Sequence, residues 1–146
     1  MRRCKYKKVV GRGVAAAPLP LTRRRTMEAS WPGLTDQLRP LLKDLRGGAP
    51  EVMKAFSAIA QAALAPKALD TKTKELVALG ISVAIRCDDC IAFHVKAALD
   101  QGATRDEVLE TLGTAIYLGA GPSVMYASHA VAALAQFEAV KSGQAA

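Results

Sequence analysis

The sequence predicts an all-α fold, and three observations point to it. Of its 146 residues 51% are hydrophobic and only 5% aromatic, with alanine and leucine prominent, a composition that favours helices over strands. Apolar residues recur at intervals of three and four in several segments, whereas no segment shows sustained alternation with a period of two. Capping residues and helix-ending glycines divide the chain into lengths typical of helices.

The N-terminal part of the predicted domain contains two helical segments. The first, residues 35–48, is a short helical piece that Pro40 interrupts and a glycine pair closes. We expect Trp31, just before it, to pack this piece against the rest of the bundle. The second, residues 50–66, opens with a proline in its first turn and carries apolar residues at helical period.

Further helices follow in regular succession. Asp70 or Thr71 caps a helix that contains the most apolar block of the chain, and the next helix covers two cysteines and ends at Gly102. Thr104 opens a Thr-x-x-Glu capping box for another helix, and Pro122 starts the last one. Helices this apolar expose more hydrophobic surface than a small monomer covers, so we expect a homo-oligomer.

The basic surplus of the chain, a formal net charge of +7, lies at its N-terminus. Residues 1–27 hold nine of the twenty lysines and arginines and no acid, which leaves eleven basic against thirteen acidic residues in 28–146. A nucleic-acid-binding domain spreads its basic residues over a folded face. We therefore expect residues 1–27 to be a disordered extension and 28–146 to form a domain that does not bind nucleic acid. No apolar run approaches the roughly 20 residues of a membrane span, so we expect no membrane partner either.

The stretch RCDDCIAFH, residues 86–94, contains the side chains best suited to metal binding or redox chemistry. On a helix, Cys87, Cys90 and His94 fall within an arc of about 60°, so two sulfurs and an imidazole share one face. A helix beginning near Cys87 would favour a thiolate there, because the positive end of the helix dipole stabilises negative charge. Arg86 acts in the same direction, whereas the adjacent carboxylates oppose it.

Three interpretations of this stretch remain open on the residues alone. A structural zinc site normally has four ligands, and beyond these three only His129 and Cys4 are histidine or cysteine candidates. The second interpretation is a pair of inert helical cysteines with a buried histidine. The third is dithiol redox chemistry, in which His94 acts as the base for Cys90. Nothing in the cysteine pattern resembles a secreted disulfide framework, so a reducing cytoplasm is the expected compartment.

Two further residues are candidates with competing interpretations. Glu75 stands at the beginning of an apolar helix, where it either orients the base or faces solvent near the helix N-terminus. His129, in the last helix, either approaches the dithiol from a neighbouring helix or subunit or is a core or interface residue.

The combined pattern in residues 74–127 resembles the carboxymuconolactone decarboxylase family, in its alkylhydroperoxidase AhpD-like branch. Glu75 stands twelve residues before the first cysteine, Cys-x-x-Cys-x-x-x-His follows, and residues 102–107 match the Gly-Ala/Ser-x-x-x-Glu element. The resemblance covers more than a third of the chain tightly and residues 50–135 loosely. At one position the chain departs from that branch, because Asp89 stands where its peroxidases carry a histidine before the second cysteine.

The resemblance implies an AhpD-like helical bundle over residues 28–146 that assembles into trimers or hexamers. It implies catalytic roles for Glu75, Cys87, Cys90 and His94, in which the Glu and His relay a proton from Cys90, Cys90 attacks a hydroperoxide and Cys87 resolves the sulfenic acid. Asp89 and His129 are accessory candidates. The resemblance further implies a lipoyl or other dithiol reductant in place of a bound cofactor or metal.

Two other functions remain as alternatives to a peroxidase. One is the decarboxylase or lactone-processing side of the same family, against which the paired cysteines argue. The other is a non-enzymatic thiol redox sensor, in which the disulfide changes assembly.

Overall fold

The computed structural model describes residues 30–144, and the predicted basic extension lies outside them. Within this range the chain forms five α-helices and no strand, which confirms the all-α prediction. The helices are α1 (Trp31–Gly48), α2 (Pro50–Leu64), α3 (Thr71–Ala84), α4 (Asp88–Asp100) and α5 (Arg105–Lys141). None of the helices in residues 30–144 is both long and apolar enough to cross a membrane.

Two of the predicted caps form as hydrogen bonds. The Asp70 carboxylate accepts from the backbone N–H of Thr73 at 2.7 Å and caps α3. At the start of α5 the Thr104 hydroxyl accepts from the Glu107 N–H, and the Glu107 carboxylate accepts from the Thr104 N–H at 2.8 Å. Both directions of the predicted capping box are therefore present.

The prediction for the first helix was wrong at its beginning and at Pro40. Helix α1 begins at Trp31, four residues earlier than predicted, with Ser30 as its cap, and it continues through Pro40. The backbone N–H of Trp31 donates to Gln136 Oε1 at 2.7 Å, which holds the start of α1 on α5. Pro40 has no N–H to donate to the carbonyl group of Asp36, and both residues are exposed, so water can hydrate that carbonyl group. Trp31 itself is 8% exposed, which confirms its predicted packing against the bundle.

The predicted boundary before Pro122 is confirmed as a break in helical geometry, at which two helical segments of α5 meet in a kink. Ala120 has φ 49° and ψ −145°, a conformation that L residues rarely adopt, and the helix continues on both sides of it. Gly119, immediately before the kink, lacks a Cβ atom that would otherwise collide with the Ser123 side chain. The chain therefore turns sharply at this point, between the two helical segments of α5.

The core lies between α3, α4 and α5, which pack against one another, while α1 contacts α4 and α5. Its largest fully buried side chains come from these three helices: Leu79, Val83, Ile91, Val95, Val108 and Leu134. Helix α2 is different, because none of its residues is buried, although its apolar residues recur at helical period as predicted. The core helices thus position the residues described next, and α2 leaves its apolar side uncovered.

Candidate active site

The turn between α3 and α4 places Cys87 at the start of α4. Arg86 adopts a left-handed conformation, φ 62°, and its N–H donates to the Val83 carbonyl, while the Cys87 N–H donates to the Ser82 carbonyl at 3.0 Å. This pair of bonds is a Schellman motif, which usually has glycine at the left-handed position. It ends α3 so tightly that Cys87 directly becomes the N-cap of α4.

Cys87 and Cys90 are joined by a disulfide across the first turn of α4. The Cys87 sulfur also accepts a hydrogen bond from the backbone N–H of Cys90 at 3.2 Å, as an N-cap side chain does. Because helix N-termini carry unpaired N–H groups and partial positive charge, a reduced sulfur here is stabilised as a thiolate. Cys87 therefore precedes the helix, and Cys90 lies in its first turn.

A buried carboxylate orients His94. Glu75 Oε2, from α3, lies 2.7 Å from His94 Nδ1, and the side chains are 8% and 30% exposed. The interpretation of Glu75 as a solvent-facing residue is thus wrong. An ionised carboxylate only accepts, so it fixes the hydrogen on Nδ1 and leaves Nε2 as a base. His94 follows Cys90 by four residues in α4, and the two therefore share one helix face.

A second histidine–carboxylate pair includes the residue that follows Cys87. His129 Nδ1, from α5, is 2.8 Å from the carboxylate of Asp88, the first residue of α4. The sequence indicated His129 as an accessory candidate, but nothing in the spacing of these residues, 41 positions apart, indicated Asp88 as its partner. Asp88 is the residue that sequence reasoning missed.

The remaining accessory candidate, Asp89, also lies in the first turn of α4 and is partly buried. A carboxylate there interacts favourably with the helix N-terminus, although it places negative charge next to Cys90. Within residues 30–144 no three His, Cys, Asp or Glu side chains form a group that could hold a metal ion.

Sequence comparison connects the chain to a known family. The model of the carboxymuconolactone decarboxylase family matches residues 50–133, which include Glu75, both cysteines of the disulfide and His94. An uncharacterized protein of Cupriavidus necator is 41% identical over 93 residues, 64% of this chain and 80% of the relative. A protein of the cox locus of Paracoccus denitrificans, also uncharacterized, is 34% identical over 93 residues, 64% of this chain and 83% of the relative.

Solved structures share the arrangement of helices. A carboxymuconolactone decarboxylase family protein of Legionella pneumophila, in its apo form, is 46% identical with a TM-score of 0.72, covering 73% of this chain and 96% of the other. A family protein of Thermotoga maritima is 32% identical with a TM-score of 0.68, covering 77% and 96%. The latter is described as a possible participant in the antioxidative response.

Proposed function

Because this chain belongs to the carboxymuconolactone decarboxylase family, we propose that it is an AhpD-like, thiol-dependent oxidoreductase that reduces hydroperoxides with the Cys87–Cys90 dithiol. The observation that carries the proposal is the 2.7 Å contact between Glu75 and His94, with His94 one helical turn after Cys90. An imidazole oriented by a buried carboxylate and placed next to a thiol is the arrangement that activates a cysteine nucleophile.

The first step forms a sulfenic acid at Cys90. His94 Nε2 takes the proton of the Cys90 thiol, and the thiolate attacks the terminal oxygen of the hydroperoxide. The S–O bond forms as the O–O bond breaks, and the alkoxide that leaves takes the proton from His94 and becomes an alcohol. Glu75 stabilises the imidazolium that exists between the two proton transfers.

The second step forms the disulfide present in the structure. The Cys87 sulfur attacks the sulfenic sulfur of Cys90, the S–S bond forms, and the S–O bond breaks. The Cys87 proton and the departing hydroxide give water. The hydroperoxide has then been reduced by two electrons, and the dithiol has been oxidised by two.

An external dithiol closes the cycle. A thiolate of a lipoyl-type or similar reductant attacks the disulfide, releases one cysteine and forms a mixed disulfide with the other. The second thiol of the reductant then attacks the reductant sulfur of that mixed disulfide, so the second cysteine leaves as a thiolate and the reductant is oxidised to its own disulfide. Both cysteines of the site are partly accessible at the start of α4, as this exchange requires. Such a cycle uses no bound cofactor or metal and suits a reducing cytoplasm.

The working form in this proposal is a homo-oligomer. Helix α2 exposes Val52, Phe56 and Ile59, each more than 60% exposed, and none of its residues is buried in the monomer. Two apolar residues of α3 and its C-cap residue, at intervals of four, are exposed as well: Val77, Ile81 and Ile85. Exposed apolar stripes on adjacent helices suit the isologous or cyclic contacts between copies of one chain.

The test counts free thiols in the reduced protein before and after addition of tert-butyl hydroperoxide, with peptide mapping to separate Cys4. We expect the wild type to lose two thiols per chain, as a Cys87–Cys90 disulfide. Cys90→Ser should not consume peroxide, while Cys87→Ser should stop at an oxidised Cys90. If Cys90→Ser consumes peroxide at the wild-type rate, the proposal fails. Turnover of a carboxylated lactone by a variant that lacks Cys87 as well as Cys90 would instead favour the decarboxylase alternative.

A further inference from the structure

The pair formed by Asp88 and His129 has no part in the proton transfers proposed above. Asp88 directly follows Cys87, and its carboxylate is 2.8 Å from His129 Nδ1. The side chains are 24% and 31% exposed, so the contact is shielded but not closed to water. Each cysteine of the dithiol therefore has an imidazole–carboxylate pair near it along the chain. One pair includes the residue after Cys87, and the other includes His94, a turn after Cys90.

The imidazole of His129 is held in place by two aromatic rings. Its centroid is 5.0 Å from that of Tyr126 and 6.1 Å from that of Trp31, both in tilted arrangements. Trp31 is in turn fixed to α5, because its backbone N–H donates to Gln136 two helical turns after His129. Three helices, α1, α4 and α5, thus meet at this contact.

We propose that His129 is a positioning residue that acts through Asp88 on Cys87. A carboxylate next to a thiol opposes its ionisation, because the two negative charges repel. A hydrogen bond from an imidazole disperses the charge of Asp88 and holds this carboxylate toward α5. The Cys87 thiolate then forms at lower pH and reacts faster near neutral pH than it would beside an unpaired Asp88.

Groups from three helices face this contact. Among the described residues, His129 contacts the carboxylate of Asp88 from α4, the ring of the titratable Tyr126 phenol from α5 and the uncharged indole of Trp31 from α1. Along the chain, Arg86 precedes Cys87, and Asp89 follows Asp88. Neither residue is removed in the comparisons below, so their effects on the sulfur are the same in every variant.

The consequence for catalysis rests on the proposed function. In the resolving step Cys87 must lose its proton before its sulfur attacks the Cys90 sulfenic acid, from which hydroxide leaves to become water. His94 and Glu75 serve Cys90, and His129 with Asp88 serves Cys87. The two sulfurs are therefore tuned by separate histidines.

The test measures alkylation and uses no peroxide. In the reduced Cys90→Ser protein, the rate of Cys87 modification by iodoacetamide is followed by mass spectrometry from pH 5 to 10. Adding His129→Ala should raise the pH of half-maximal reaction by about half to one unit and slow the reaction near neutral pH about three- to tenfold. His129→Asn keeps a donor near the position of Nδ1 and should restore the rate to within about twofold.

Two matched comparisons separate this role from a general loss of structure. In an Asp88→Asn background His129→Ala should have no effect on Cys87, because the charge that it controls is absent. In a Cys87→Ser background His129→Ala should leave Cys90 alkylation unchanged within about twofold. The proposal is overturned if the effect of His129→Ala persists without the Asp88 carboxylate or if His129→Asn fails to restore the rate of Cys87 alkylation. It is also overturned if His129→Ala slows the alkylation of both cysteines equally. Should the alkylation pattern hold while Cys90 is inert to hydroperoxide, only the proposed function fails.

Discussion

Glu75 and His94, nineteen residues apart in sequence, are joined by a 2.7 Å contact between Oε2 and Nδ1 that links α3 to α4. The carboxylate is almost completely buried, whereas the imidazole retains access to solvent. A buried carboxylate requires a partner, and a histidine with one nitrogen bound is restricted to one tautomer. The contact therefore fixes both the orientation and the basic nitrogen of His94.

Removing the charge of Glu75 should slow the oxidation of Cys90 while the hydrogen bond to His94 is kept. Glu75→Gln keeps an oxygen acceptor for Nδ1–H but no longer stabilises the imidazolium, so we expect the rate of Cys90 oxidation by hydroperoxide to fall about 100-fold. The measurement is stopped-flow oxidation of reduced Cys87→Ser protein. Glu110→Gln, at an exposed position of α5, is the matched control and should leave the rate unchanged. A Glu75→Gln rate within twofold of the parent would show that the pair does not activate Cys90.

The contact between Lys72 and Glu107 should make stability depend on pH. The hydrogen bond from Lys72, followed by the Thr104 backbone N–H, lowers the pKa of Glu107, and the same hydrogen bond raises the pKa of Lys72. The contribution of Glu107 is therefore complete above the unfolded-state carboxylate pKa of about 4.3 and is lost as the pH falls through the lower folded-state pKa. The contribution of Lys72 is complete below its unfolded-state pKa and is lost as the pH rises through the higher folded-state value.

Urea denaturation between pH 7 and pH 3 tests the acidic side of this prediction. The midpoint should fall in the wild type, and it should fall less in Glu107→Gln, which has no carboxylate to protonate. Asp70, whose pKa the hydrogen bond from Thr73 lowers, contributes to the acid loss in both proteins. Equal losses in the two proteins would contradict the assigned role of Glu107.

The kink at Ala120 should be relieved by glycine. Its φ of 49° is costly for a residue with a Cβ atom, so Ala120→Gly should raise the free energy of unfolding by about 1 kcal/mol. The same substitution at Ala135, an exposed position within regular α5, should lower it by about 1 kcal/mol. If the conformation at Ala120 is as described, urea denaturation shows changes of opposite sign in the free energy of unfolding of the two variants. Changes of the same sign would contradict it.

The exposed apolar side of α2 should be needed for assembly. Phe56 is 62% exposed in the monomer, and a charge placed there would be buried without a partner in an interface between copies. Phe56→Glu should therefore reduce the mass measured by light scattering at micromolar concentrations. Gln61→Glu adds the same side chain to an exposed polar position of α2 and should keep the wild-type mass. A Phe56→Glu protein that keeps the wild-type mass would exclude α2 from the interface.

Local signals in the sequence accounted for most of the fold. The cap at Asp70 and the capping box at Thr104 depend on residues three positions apart, and such short-range hydrogen bonds are encoded in adjacent residues. The start of α1, which was predicted four residues too late, has such a signal as well, because the Ser30 side chain accepts from the Gly33 N–H. The bond from Trp31 to Gln136, 105 residues away, depends on how α1 packs on α5 and was not predictable from neighbouring residues.

In the candidate site, too, contacts within one helix were predictable and contacts between helices were not. The spacing of Cys87, Cys90 and His94 was sufficient to place them together, because Cys87 is the N-cap of α4 and the other two lie in its first two turns. The burial of Glu75 and the partner of His129 depend on how α3 and α5 pack against α4, and charge near a helix N-terminus alone favours an exposed Glu75. The family resemblance, rather than helical periodicity, indicated the role of Glu75.

Trapping of the sulfenic acid tests directly whether Cys90 attacks the hydroperoxide. Reduced Cys87→Ser protein is treated with one equivalent of hydroperoxide in the presence of dimedone, which reacts with sulfenic acids, and the adduct is located by peptide mass spectrometry. We expect one dimedone adduct per chain on Cys90, and much less on Cys87 in the reciprocal Cys90→Ser protein. If Cys90 forms no adduct, or if the two cysteines are labelled equally in their respective variants, Cys90 is not the residue that attacks the hydroperoxide.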